Sequence, residues 1–142
     1  LSRALKKNPF EIRIDSAFSE VMAGCADRKT TWISPEIVTS YEKLFELGYA
    51  HSVETWRDGK LQGGLYGISI GGAFFGESMF SRETDASKVA LVALVTRLQQ
   101  RNFQLLDTQW TTDHLTRFGC REIPRYEYLR QLNRALLVTT TF

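Results

Sequence analysis

The sequence predicts an α+β fold in which helices flank a mixed β-sheet, and three observations indicate it. Two tight-turn signals, Asp58-Gly59 and Gly71-Gly72, divide one stretch into three strand-like runs, which predicts an antiparallel meander. A long helix then leads into a fourth run, so the strands on either side of that helix should be parallel neighbours. The length of 142 residues, with 43% apolar and 24% charged side chains, suits a single domain over residues 1–142.

The N-terminal third is predicted to contain one strand and two helices. Residues 11–15 alternate apolar and polar side chains, as a short half-buried strand does. Asp15 and Ser16 are candidate caps for the helix that follows. Ser34-Pro35-Glu36 predicts the start of the second helix, because Ser is a good N-cap and Pro suits the first helical position. Gly48 is expected to end that helix.

Three strand-like runs form the meander and a fourth follows the long helix: Ala50–Trp56, Leu61–Ile70, Ala73–Phe80 and Gln104–Gln109. Asp85 or Ser87 can cap the long helix, which is expected to run through Gln100. A short helix is predicted to stop at Gly119, and a last helix to begin near Pro124.

A meander that leads into a helical crossover is the arrangement of the Gcn5-related acyltransferase fold, which holds an acyl donor between its two parallel strands. The sequence therefore predicts a Gcn5-related acyltransferase-like mixed sheet with flanking helices. In acetyltransferases of that fold, a glycine-rich loop before the crossover helix binds the pyrophosphate of coenzyme A. Here that loop is SRETDASK, residues 81–88, and it contains no glycine. This disfavours acetyl-CoA and favours another activated acyl donor.

Composition and charge narrow the function only slightly. The net charge of +2 neither demands nor excludes a nucleic acid, and the basic residues near both ends suit phosphate contacts and plain solvation about equally. The two cysteines and two histidines are scattered without metal-ligand spacing, which predicts no metal site and a reducing, cytoplasmic location. No apolar run reaches the length that spans a bilayer.

Polar side chains are predicted at the ends of the two parallel strands. Residues two apart on a strand share a face, so Glu77 should pair with Met79, and Asp107 with Gln109. Ligands bind beyond the carboxyl ends of such strands, where two acids and an amide would receive a cationic or amine-bearing group. The alternative is that Glu77 caps a neighbouring loop and Asp107 caps the following helix.

Three segments together resemble one family. They are TWISPEIVTSYEKLFELGYAHSVETW, GGLYGISIGGAFFGESMFSRETDASKVAL and LLDTQ…H…GCREIPR. The chain is similar to the leucyl/phenylalanyl-tRNA–protein transferases of bacteria, and YAHSVE, GESMFS and ASK in this order are the most specific motifs. The resemblance implies transfer of Leu or Phe, less often Met, from aminoacyl-tRNA to the N-terminal Arg or Lys of a protein, which marks that protein for degradation. It implies no metal and no organic cofactor, because the tRNA ester is the activated donor.

The resemblance also implies roles for individual residues. Asp107 would hold Gln109, which orients the acceptor amine, while Glu77 shapes the site or offsets the cationic side chain of the acceptor. Five residues are expected to line a pocket for donors unbranched at Cβ, although plain core packing explains them too: Leu65, Phe74, Met79, Leu91 and Leu98.

Contacts with the tRNA are expected from two further groups. Trp32 and Tyr41 are expected at the terminal adenosine, where aromatic stacking on a base contributes about 1–3 kcal/mol; a core role is the alternative for Trp32. Phosphate contacts are expected, on charge alone, from four residues: Arg3, Lys6, Lys7 and Lys29.

The chain also departs from the family pattern. The family carries a further N-terminal region, rich in Trp and Pro, that supplies part of the adenosine site, and this sequence is expected to lack it. Two other interpretations therefore stay open. One is a truncated, non-catalytic module that binds a peptide N-terminus or tRNA, and the other is an acyltransferase that uses a different donor.

Overall fold

The structure is a computed structural model that describes residues 10–27, 33–108 and 124–142. Its centre is one five-stranded sheet whose strands follow chain order. The strands are β1 (Glu11–Ile14), β2 (Ala50–Arg57), β3 (Lys60–Ile70), β4 (Ala73–Ser81) and β5 (Leu105–Thr108). The helices are α1 (Phe18–Ala26), α2 (Pro35–Glu46), α3 (Ala86–Gln100) and α4 (Arg125–Leu136).

The strand pairing confirms the predicted mixed sheet. Strands β1 to β4 pair antiparallel with their neighbours, whereas β4 and β5 pair in parallel across the crossover helix α3. The predicted short helix before Gly119 lies outside the described residues. No helix in the three described ranges is long and apolar enough to cross a bilayer.

Both predicted hairpin turns are present. Asp58 and Gly59 have φ values of 53° and 73°, the left-handed pair that a tight two-residue hairpin requires. Gly71 has a φ of 55°, and a Cβ atom there would lie 2.7 Å from the backbone oxygen of Leu136. This turn therefore needs glycine both for its conformation and for its close approach to α4.

The start of α2 is as predicted, but the start of α1 is not. The Ser34 hydroxyl accepts a hydrogen bond from the backbone N–H of Ile37, with Pro35 in the first helical position. Neither Asp15 nor Ser16 caps α1. The Asp15 carboxylate instead accepts from the backbone N–H of Ser52 at 2.8 Å, because Asp15 closes the end of β1 against β2.

Side chains from neighbouring strands supply the caps of α1 and α3. The backbone N–H of Ala17 donates to the buried carboxylate of Glu54, at 2.9 Å. For α3, Asp85 occupies the cap position but makes no side-chain cap bond. The Ser81 hydroxyl, at the end of β4, accepts from the backbone N–H of Ser87 at 3.3 Å. Asp85 thus occupies the predicted cap position without bonding the helix, and the prediction of Ser87 is wrong, because the side-chain cap comes from the preceding strand.

The sheet separates the two larger of three apolar clusters among the described residues. The cluster on one face joins residues of α1 and α2 to the sheet, and Tyr66 is fully buried in it. The cluster on the opposite face lies under α3 and contains Leu65, Phe74 and Leu91. The last residue, Phe142, is buried in this second cluster, with its ring stacked on Phe74 at a centroid distance of 5.2 Å.

A β-bulge interrupts β4 at Glu77. In the pairing of β3 with β4, Tyr66 lies opposite Ser78 while the next residue, Gly67, lies opposite Gly76. Glu77 is thus the extra residue of the bulge, and no residue of β3 lies opposite it. A bulge exchanges the faces to which the following side chains point, and this governs the geometry of the site.

Candidate active site

Glu77 lies next to an aromatic side chain of α2. The Tyr41 hydroxyl lies close enough to its carboxylate for each group to shift the pKa of the other. The Tyr41 ring meets Tyr66 edge to face, with centroids 5.5 Å apart, so this tyrosine is held by the cluster between α2 and the sheet. The bulge therefore directs Glu77 to the α2 side of the sheet.

Asp107 lies on the neighbouring strand and also receives a tyrosine hydroxyl. Parallel pairing of β4 and β5 sets Asp107 opposite Phe75, two residues before Glu77. The hydroxyl of Tyr128, from α4, donates to the Asp107 carboxylate at 2.8 Å. Two strands and two helices thus bring together two carboxylates, each beside a tyrosine side chain.

The two carboxylates influence each other. Burial raises the pKa of Glu77, the hydrogen bond from Tyr41 lowers it, and the negative charge of Asp107 raises it further. Burial likewise raises the pKa of both Tyr41 and Tyr128 to about 12, with the adjacent carboxylates adding to the effect. Both hydroxyls therefore stay protonated and donate at neutral pH. A cation placed between the two acids would relieve their mutual repulsion.

The expected pairing of Glu77 with Met79 on one face is wrong. Met79 packs against the cluster under α3, on the opposite side of the sheet from Tyr41. The bulge is the physical reason, since residue spacing predicts a shared face only while the ladder is regular. Asp107 is described, whereas its predicted neighbour Gln109 lies outside the described residues.

The five predicted pocket residues lie together in the cluster under α3. Leu65 and Phe74 are fully buried, Leu91 and Leu98 nearly so, and Met79 is half-buried at the edge. Met79 also lines a cavity of about 370 Å³ at the carboxyl end of β4, together with Gly24 and Asp27 at the end of α1 and residues of the loop that leads into α3. The cluster thus has a packed interior and one side chain at an opening.

Of the predicted tRNA contacts, Tyr41 is described and lies beside Glu77. The remaining ones fall outside the described residues: Trp32, Arg3, Lys6, Lys7 and Lys29.

Tyr128 is the residue that sequence reasoning missed. It lies on the inner face of α4, where burial follows a helical spacing through Gln131, Leu132 and Ala135. That periodicity is readable in the sequence and predicts that Tyr128 faces the sheet. What the sequence does not give is the carboxylate that it meets.

Comparison with protein families gives one strong match. A model described as leucyl/phenylalanyl-tRNA protein transferase matches residues 1–133. A leucyl/phenylalanyl-tRNA–protein transferase of Ruegeria pomeroyi is 57% identical over 136 residues, which are 96% of this chain and 65% of that protein. Those of Paramagnetospirillum magneticum and Gloeobacter violaceus are 56% and 54% identical over the whole chain, which covers 70% and 74% of their lengths. The chain thus spans about two thirds to three quarters of these relatives.

Solved structures with the same fold are acetyltransferases. A ribosomal-protein-alanine N-acetyltransferase from Brucella melitensis superimposes with a TM-score of 0.57 at 14% identity, covering 82% of this chain and 96% of that one. An aminoglycoside acetyltransferase from a soil metagenome gives a TM-score of 0.61 at 12% identity, covering 83% and 93%. At this identity the likeness establishes the fold, and the predicted Gcn5-related acyltransferase-like sheet is confirmed.

Proposed function

Because the chain belongs to the leucyl/phenylalanyl-tRNA–protein transferase family, we propose that it carries the site where Leu or Phe passes from aminoacyl-tRNA to a protein. Met is a further donor residue, and the acceptor is an N-terminal Arg or Lys. The new N-terminus marks the protein for degradation in the cytoplasm. Residues 1–142 form the catalytic domain in this proposal.

The reaction is an aminolysis of an ester. The α-amine of the acceptor attacks the ester carbonyl, a C–N bond forms, and the C–O bond to the ribose of the terminal adenosine breaks. The amine nitrogen loses a proton and the departing ribose oxygen gains one. Because the ester is already activated, the protein contributes mainly by positioning the amine and by aiding the proton transfer.

The observation that carries this proposal is the pair Glu77 and Asp107. An acceptor that begins with Arg or Lys brings two positive charges, on its α-ammonium group and on its side chain. Burial, and then the charge of Asp107, raise the pKa of Glu77, so a cation bound between the two carboxylates would offset an unfavourable negative charge. In this arrangement Asp107, with Gln109, holds the amine, and Glu77 offsets the acceptor side chain.

Donor selection is assigned to the apolar face of the site. Met79 is half-buried at an opening and its thioether side chain adapts to both a ring and an alkyl chain. Phe74 and Leu98 belong to the same apolar cluster as Met79. A donor branched at Cβ would clash at such an entrance. Tyr41 is proposed, with Trp32, at the adenosine, next to the acidic pair.

An isosteric variant of Asp107 tests the proposal. In Asp107→Asn, transfer of labelled Leu from Leu-tRNA to an Arg-initiated peptide should fall about 100-fold or more, in the range typical of lost proton-transfer and positioning groups. Asp58→Asn, in an exposed hairpin turn, is the matched control and should transfer normally. Normal transfer by Asp107→Asn would refute the assignment. No transfer by the unaltered chain would refute the proposed activity for residues 1–142.

A further inference from the structure

Helix α4 is tied to the sheet at both of its ends. Near its C-terminal end, the carbonyl of Ala135 accepts a hydrogen bond from the backbone N–H of Gly72 at 2.7 Å, which fixes the helix to the turn between β3 and β4. Near its N-terminal end, the Tyr128 hydroxyl donates to the Asp107 carboxylate at 2.8 Å. Tyr128 therefore reaches Asp107 from a fixed support.

We propose that Tyr128 is a positioning residue, which holds the Asp107 carboxylate in the orientation that receives the acceptor amine. The proposal rests on the function proposed above. An aspartate side chain turns about two torsions, and a donor on one carboxylate oxygen removes much of that freedom while leaving the other oxygen for the amine. Such restriction matters for a group that positions a reactant, because small misplacements of reacting groups lower reaction rates strongly.

The chemistry of the phenol suits this role. The pKa of Tyr128 is raised to about 12, first by burial and then by its hydrogen bond to Asp107. The hydroxyl is therefore a donor throughout the neutral range and does not exchange a proton with the amine. Tyr41 lies beside Glu77, so each acid has a tyrosine as a neighbour.

The first test removes one oxygen atom. Tyr128→Phe should lower kcat/KM for an Arg-initiated peptide about tenfold or more, which is the usual effect of one hydrogen bond to a charged group. The KM for the peptide should rise while the KM for Leu-tRNA stays unchanged. Tyr126→Phe is the matched control, because Tyr126 lies on the same helix but is 74% exposed. Wild-type kinetics in Tyr128→Phe, or equal rises in both KM values, would overturn the proposal.

A double-mutant cycle separates positioning from general stability. If Tyr128 acts through Asp107, Tyr128→Phe should have little further effect in an Asp107→Asn background. Additive losses would show that Tyr128 acts elsewhere and would contradict the proposal.

A third measurement needs neither activity nor a folded Tyr128 variant. The Tyr128 phenol can be titrated by NMR with carbon-13 at tyrosine Cζ. Its midpoint should lie near 12 in the wild-type chain and shift towards the ordinary value of 10 in Asp107→Asn, with burial keeping part of the rise. An unchanged midpoint would refute the contact. An inactive chain that shows the shift would sink the proposed activity and leave the Tyr128–Asp107 contact established.

Discussion

Glu77 lies in a half-buried position next to a second carboxylate. Its pKa is raised above the ordinary value of 4.5, chiefly by burial. The folded state therefore binds the Glu77 proton more tightly than the unfolded chain does. The favourable contribution of this residue to stability is fully present below pH 4.5 and is lost as the pH rises through the raised pKa.

Replacing Glu77 by Gln removes that dependence. The free energy of unfolding of Glu77→Gln, relative to wild type, should increase between pH 4 and pH 7, because only the wild type must ionise a buried acid. Urea unfolding at a series of pH values measures it. Glu46→Gln, at an exposed position of α2, is the control and should track the wild type. A relative stability that falls with pH would contradict the raised pKa.

Glu54 shows how differently a fully buried acid can be treated. Its carboxylate accepts from the hydroxyl of Ser52 at 2.6 Å, the indole N–H of Trp56 at 3.0 Å and the backbone N–H of Ala17 at 2.9 Å. Three donors compensate for the lost hydration. Glu54 therefore serves the architecture of α1 and β2, whereas Glu77 and Asp107 lie together at the candidate site.

Among the secondary-structure elements, most helix and strand positions can be predicted from the local sequence. The side-chain caps of two helices cannot. Turn glycines, the Ser-Pro start of α2 and the alternation of β1 are local signals, and each corresponds to an observed element. The caps of α1 and α3 come from Glu54 and Ser81, which belong to strands. A cap supplied by another element leaves no mark in the residues just before the helix.

The cap of α3 gives a prediction that separates the two candidates. Ser81→Ala should lower the free energy of unfolding by about 1 kcal/mol, because the N–H of Ser87 loses its acceptor. Asp85→Asn should change it little, since Asp85 makes no cap bond and Asn tolerates its left-handed backbone, φ 68°. Chemical denaturation measures both. A larger decrease in the free energy of unfolding for Asp85→Asn than for Ser81→Ala would show that Asp85 is the side-chain cap, as the sequence predicts.

The bulge in β4 could not be predicted because strand pairing creates it. Around it the backbone is crowded: a Cβ atom on Gly67 would lie 2.3 Å from the carbonyl oxygen of Phe75. The glycine is visible in the sequence, but the shift of one residue depends on how β3 and β4 align. Hence Glu77 and Asp107 were predicted near one another correctly, while the predicted partnership of Glu77 with Met79 failed.

Across the whole molecule, the end of the described chain closes the cluster under α3. The Phe142 ring stacks on His51 at 4.4 Å and on Phe74 at 5.2 Å, and the Arg97 guanidinium lies 4.7 Å from its centroid. Only 7% of Phe142 is exposed. Nothing in the polar residues before it predicts this, because the contact joins residues far apart in the sequence.

Removing this ring should weaken the whole fold. Phe142→Ala should lower the free energy of unfolding by about 3 kcal/mol, as expected for a buried aromatic side chain. Leu137→Ala, where the side chain is 85% exposed, should stay within about 0.5 kcal/mol of wild type. Thermal and urea unfolding measure both. Equal stabilities of the two variants would show that the Phe142 contacts contribute little.

The extra residue in β4 has a consequence for engineering. It turns the acid towards one side of the sheet and the thioether of Met79 towards the other, although two positions separate them. Under the roles proposed above, the residue that contacts the donor side chain and the residue that contacts the acceptor side chain would lie on opposite surfaces of a single strand. A substitution at Met79 would then leave the surroundings of Glu77 unchanged, which a strand of unbroken register would not permit at such short range.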